Sequence, residues 1–169
     1  MKKLILTYGT IAAVIIVSML IFTFTGSPLD FKYSEILGYT TMIIAFSTIF
    51  VATHYYKKNT ATNHLTFKEA FKIGLGITLV ATLFYIIAWM IMSNTIAKDF
   101  MADYFQSSVE KLHASGLSQE EIDIKIAEME KFKELYKNPI IKIGMTFMEI
   151  FPVGFIVSLI SAFIFKSKK

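Results

Sequence analysis

The chain has 169 residues, of which 54% are hydrophobic and 18% charged, whereas a soluble domain of this size averages about 45–50% apolar and about 25% charged. Seventeen lysines and thirteen acids leave a net charge of +4. They lie almost wholly between long apolar stretches, so a bilayer accounts for the balance without nucleic acid, and the lack of arginine removes the usual bidentate donor to guanine or phosphate. With no cysteine, disulfides, thiol catalysis and thiolate metal sites are excluded.

Four apolar stretches make up more than half of the chain: Leu4 to Phe24, Ile36 to Tyr55, Phe71 to Met92 and Ile140 to Phe165. Each is close to the roughly 20 residues that a helix needs to cross a hydrocarbon core. The first follows Met1-Lys2-Lys3 and could be a signal peptide. It is longer than a signal h-region, and Thr-Phe-Thr-Gly at 23 to 26 is a poor cleavage site, so we expect a retained first span.

Lysines set the expected topology, because cytoplasmic loops carry the excess of positive charge. Lys2 and Lys3, then Lys57, Lys58, Lys68 and Lys72, then Lys166, Lys168 and Lys169 fall at alternate ends of successive spans. Both termini are therefore expected in the cytoplasm, with a short turn, Gly26 to Glu35, and a long segment, Ser93 to Pro139, outside. Tyr33 and Tyr39, Tyr55 and Tyr56, and Trp89 suit interfacial belts. The inner lysines read as topology signals, or alternatively as contacts to anionic lipid.

The second span carries Gly38, Thr41, Ala45, Thr48 and Ala52 at helical spacing. The third carries Gly74, Thr78, Ala81, Thr82, Tyr85, Ala88 and Trp89 on one half of its circumference. Small and hydroxylated residues let helices approach closely, so these faces are expected to look into a bundle.

Residues 93–139 are too patterned for a plain loop. Phe100, Met101, Tyr104, Phe105, Val109 and Leu112 recur at helical steps from Ile96, and Gly116 stops that pattern. Ser118 and Glu121 then form a capping-box start. Ile122, Ile126, Met129, Phe132 and Tyr136 make a second stripe that ends at Asn138-Pro139. This predicts an αα-hairpin whose stripes pack on each other, or on a partner protein or the lipid surface. His113 reads as a solvated residue, and His54 and His64 as interfacial residues rather than metal ligands.

Span four holds Glu149, the one ionisable side chain expected well within the hydrocarbon, at a cost of up to about 2.5–3.5 kcal/mol. Lys142, two turns outward, is expected to extend to the interface. Pro152 leaves the Met148 carbonyl without its helix bond and predicts a kink. Glu149 is expected to face protein, with Tyr85 and Thr41 as partners; a proton or ion role and a ligand contact are the competing readings. Gly154, Ser158, Ser161 and Ala162 lie on the other side of the same helix. That side is expected either to pack within the chain or to meet a second copy.

Thr66-Phe67-Lys68-Glu69-Ala70-Phe71-Lys72-Ile73-Gly74, Glu130-Lys131-Phe132-Lys133 with Tyr136-Lys137-Asn138-Pro139, and Glu149-Ile150-Phe151-Pro152-Val153-Gly154 resemble small four-span bacterial membrane proteins catalogued only as a domain of unknown function. The resemblance covers essentially the whole chain, and the last motif is its most specific part. It implies a bacterial inner-membrane protein and transfers no activity. The expected fold is thus an all-α integral membrane protein, one domain over 1–169 with four transmembrane helices and an extramembrane αα-hairpin insert at 93–139. No catalytic, cofactor or metal constellation is visible. The expected role is non-enzymatic, through packing and partner or self association, with a small transporter or channel using Glu149 as the alternative.

Overall fold

The computed structural model describes residues 1–25, 31–60 and 63–167. Parts of two sequence readings, the turn at Gly26 to Glu35 and the lysine pair Lys168 and Lys169, lie outside the described residues. Every regular element described is a helix: α1 (Lys2–Thr25), α2 (Phe31–Phe46), α3 (Thr48–Lys58), α4 (Phe67–Met92), α5 (Phe100–His113), α6 (Gln119–Tyr136) and α7 (Pro139–Phe165). α1, the α2–α3 stretch Tyr33–Lys58, α4 and α7 are each long and apolar enough to cross a membrane. The chain divides into two compact units, Met1–Ala88 with Phe147–Lys169, and Trp89–Thr146.

In the first unit α4 packs closely on two other helices, and glycines make the approach possible. A Cβ added at Gly9 of α1 would fall 2.7 Å from the Cβ of Val80, and one at Gly76 of α4 would fall 2.8 Å from Ile5 Cγ2. Gly74 of α4 sits against α7 in the same way, 2.8 Å from Ser158 Cβ. Phe46, Ile49, Ile73, Ile77 and Ile150 are fully buried in the core these contacts enclose. On the outside the side chains stay apolar: Val14, Leu83, Ile87, Ile156 and Phe163 are all exposed. A helix that is apolar all round belongs in a protein core or a membrane span.

The second apolar stretch, expected as one helix over Ile36 to Tyr55, is interrupted at Ser47. Ser47 Oγ donates to the Ile44 carbonyl at 2.6 Å and Thr48 Oγ1 to the Ala45 carbonyl at 2.7 Å. The Phe50 amide bonds the Ser47 carbonyl at 3.0 Å, a three-residue step. Two adjacent hydroxyls returning to backbone carbonyls tighten one turn and interrupt the regular ladder. At the far end of α3, Lys57 Nζ donates to the Phe165 carbonyl at 2.9 Å, placing a cation on the carbonyl end of α7, where the helix dipole favours it. Leu65 and Ser167 close the same region with two bonds, Ser167 N to the Leu65 carbonyl at 2.8 Å and Leu65 N to Ser167 Oγ at 3.1 Å.

In the second unit, α5 starts at Phe100 rather than near Ile96. Ser93, Asn94 and Thr95 turn their side chains back onto the carbonyls of Met90 and Ile91, so these polar groups compete with the ladder and end α4 at Met92. Gly116 takes the left-handed φ of +74°, which favours glycine. Ser118 and Glu121 form the expected capping box at the start of α6. Asn138 caps α7, its Oδ1 accepting the Ile140 amide at 2.9 Å, with Pro139 in the first-turn position that its missing amide suits. α5 and α6 touch each other, and Lys133 Nζ of α6 lies 4.9 Å from the centre of the Phe105 ring of α5.

The cap carries a pH prediction. Glu121 accepts the Ser118 amide at 3.0 Å and the Ser118 hydroxyl at 2.9 Å, and these bonds hold its carboxyl below the usual carboxylate range. A lowered folded-state pKa contributes stability above the unfolded value, about 4.3, and that contribution is lost as pH falls through the folded value. Amides 118–122 should therefore lose hydrogen-exchange protection on acidification below about pH 4. The loss should be absent in Glu121→Gln. Equal acid sensitivity in both proteins would refute this account of the cap.

Candidate functional site

Polar side chains within long apolar helices have few places to go, so their partners define the candidate site. On α4, Gly74, Thr78, Ala81, Thr82 and Tyr85 are all buried, while Leu79, Leu83 and Phe84 on the other side are exposed. On α7 the buried face is Ile150, Gly154, Ser158, Ser161 and Ala162. The two faces meet in antiparallel register: Gly74 against Ser158, Thr78 against Gly154, and Tyr85 beside Glu149.

Three hydroxyl contacts between helices hold this arrangement. Thr78 Oγ1 and Ser158 Oγ are 3.2 Å apart, and Ser158 Oγ also donates to the Gly154 carbonyl at 2.6 Å. Ser161 Oγ donates to Thr53 Oγ1 of α3 at 3.2 Å. The Tyr85 hydroxyl donates to Glu149 Oε1 at 3.2 Å. Thr82, which lies between Thr78 and Tyr85 along α4, is buried with its hydroxyl unmatched among the described residues. Thr78, Ser158 and Ser161 lie on faces that the sequence picks out without naming the pairs, whereas Thr53, the partner of Ser161, falls outside the stripe read on the second span.

The structure changes three expectations. Thr41, expected to bond Glu149, instead donates to the Leu37 carbonyl of its own helix at 2.8 Å. Glu149 bonds Tyr85 as expected but sits at the edge of the protein face, with part of its surface open. The reason is helical phase. Ile150 and Ser158 lie roughly 100° and 180° from Glu149 at 3.6 residues per turn, so burying their face against α4 turns Glu149 to the flank. The third change follows from the same packing. Gly154, Ser158, Ser161 and Ala162, the face considered for contact with a second copy, are buried within the chain. Pro152 shares the Glu149 flank and is partly exposed, and α7 continues as a helix through it.

Lys142 has its partners within the second unit. Its Nζ donates to Ser93 Oγ at 3.2 Å and lies 5.2 Å from the centre of the Tyr136 ring. Tyr136 also accepts from Trp89 Nε1 at 2.6 Å, and Trp89 meets Phe100 edge to face with centroids 5.3 Å apart. This chain of contacts from Lys142 through Tyr136 and Trp89 to Phe100 was not foreseen, because its members are up to about fifty residues apart in sequence and no local period links them. His54 is exposed beside the Phe165 ring, and His113 is exposed. Among the described residues no group of His, Cys, Asp or Glu is arranged to hold a metal ion.

A family model described as protein of unknown function (DUF4199) matches residues 7–167. No curated protein and no solved structure matches the chain. Because the match covers almost the entire sequence, the chain belongs to that family.

Proposed function

We infer that this member of the DUF4199 family is a non-enzymatic, multi-pass component of the bacterial inner membrane that acts by holding helices together, its own and those of a partner or second copy. In this reading α1, α2–α3, α4 and α7 form a four-helix bundle across the bilayer. Both termini are cytoplasmic, and residues 93–139 fold outside as an αα-hairpin offering a surface to a partner protein. The observation that carries it is the use of polar groups within the apolar helices. Thr78 with Ser158, Thr53 with Ser161 and Tyr85 with Glu149 each tie one helix to another. Interhelical hydrogen bonds of this kind serve association in a lipid environment. The alternation of lysine-rich and acid-rich connections supports the orientation.

Two experiments test this reading. Single cysteines at Lys58 and Glu120, in a chain that has none, should react with an impermeant thiol reagent in intact spheroplasts only at position 120; labelling at 58 would reverse the topology. Mild solubilisation of a tagged chain should yield particles heavier than one 19.2 kDa protomer with its detergent. A uniformly single-chain particle would overturn the association role, and ion flux in proteoliposomes that depends on Glu149 would replace it with transport.

A further inference from the structure

Glu149 is an acidic side chain on the outside of an apolar helix, and the fold meets only part of its needs. Ionisable residues in membrane spans almost always face the bundle interior or a water-filled cavity. Glu149 accepts one bond, from Tyr85, at a part-buried contact, and the residue keeps part of its surface open.

Glu149, Pro152, Ile156, Leu159 and Phe163 follow one another at steps of three and four and so form one seam along α7, the spacing at which a helix can pack lengthwise on another. All five are at least partly exposed, and Ile156 and Phe163 are among the most exposed apolar side chains of α7. Left-handed pairs of this geometry are the commonest packing in membranes. Because the small-residue face of α7 is buried within the chain, this seam is the face of α7 left for another helix.

The occupant follows from symmetry and hydrogen-bonding chemistry. Copies of one chain insert with the same orientation, so a two-fold axis along the membrane normal sets α7 parallel to α7 and brings identical residues to the same depth. A carboxylic acid both donates and accepts, so at that depth a second Glu149 carboxyl is a self-complementary partner. We propose that the Glu149–Phe163 seam of α7 is the contact surface of a parallel homodimer in the membrane, centred on hydrogen bonding between the two Glu149 carboxyls. This rests on the membrane and self-association reading above and assigns it to one face.

The test uses the full chain in inner-membrane vesicles with single cysteines at Ile156, on the seam, or at Leu83, exposed on α4. Oxidation should give a disulfide-linked dimer with Ile156→Cys and none with Leu83→Cys. In the Ile156→Cys background, Glu149→Leu should reduce cross-linking by about tenfold, the scale of one interhelical hydrogen bond. Glu149→Gln, whose amide also donates and accepts, should retain most of it. Cross-linking at Leu83 but not Ile156 would overturn the seam and leave self-association standing. No cross-link at either position, together with a single-chain mass in lipid nanodiscs, would overturn both. Undiminished cross-linking in Glu149→Leu would remove the carboxyl from the interface.

Discussion

Gly154→Val should destabilise the protein by about 1–3 kcal/mol, whereas Gly144→Ala on the same helix should be neutral or stabilising by up to about 1 kcal/mol. A side chain at 154 would collide with Thr78 and reach to 2.8 Å from Cζ of Phe46, while a Cβ at 144 meets nothing within 4 Å. Thr78 cannot swing aside at low cost, because β-branched side chains in helices hold few rotamers and its hydroxyl is paired with Ser158. Phe46 is fully buried, so it too has to shift other core side chains to give way. Unfolding in mixed micelles titrated with a denaturing detergent would measure both variants. Equal effects at 144 and 154 would mean that the α4–α7 approach is not close.

Phe46→Ala is expected to cost about 3 kcal/mol, near the low end of the range for deleting a buried aromatic ring. Among the described residues Phe46 is the largest fully buried side chain, and it lies in the core cluster with Ile49, Ile77 and Ile150. In a bilayer the apolar transfer part of that range shrinks, since lipid tails are as apolar as a protein interior. What remains is the loss of packing contacts around the cavity. The same detergent titration reads this loss, and a cavity-filling Phe46→Met should recover a large part of it. A cost below about 1 kcal/mol for Phe46→Ala would show that the site collapses freely and that the core is not closely packed there.

These two effects come from contacts between helices, and they mark the line between what could be read from the chain and what could not. Signals acting over a few residues were legible. The four apolar runs, the Ser118–Glu121 cap, the glycine turn at 116 and the stop at Asn138-Pro139 depend on neighbours one helical turn away, and all appear in the structure. Local competition was harder to read when two signals overlapped. An apolar pattern hid the hydroxyl pair at Ser47 and Thr48 that interrupts the second stretch, and the polar run Ser93–Thr95 delays α5 to Phe100.

α7 presented two faces with different chemistry, and one neighbour, α4, meets both: Thr78 pairs with Ser158 and Tyr85 reaches round to Glu149. Which face turned inward depended on α4, where Gly74 and Thr78 match the small residues of α7 but offer no room for a carboxyl. That choice sent Glu149 to the flank beside Tyr85 and left Thr41 bonded within its own helix. Composition and period specify how much of a helix is apolar and where it starts and stops. The direction each face looks is settled by the shape of the helix it meets, and that shape is built from residues distant in the chain.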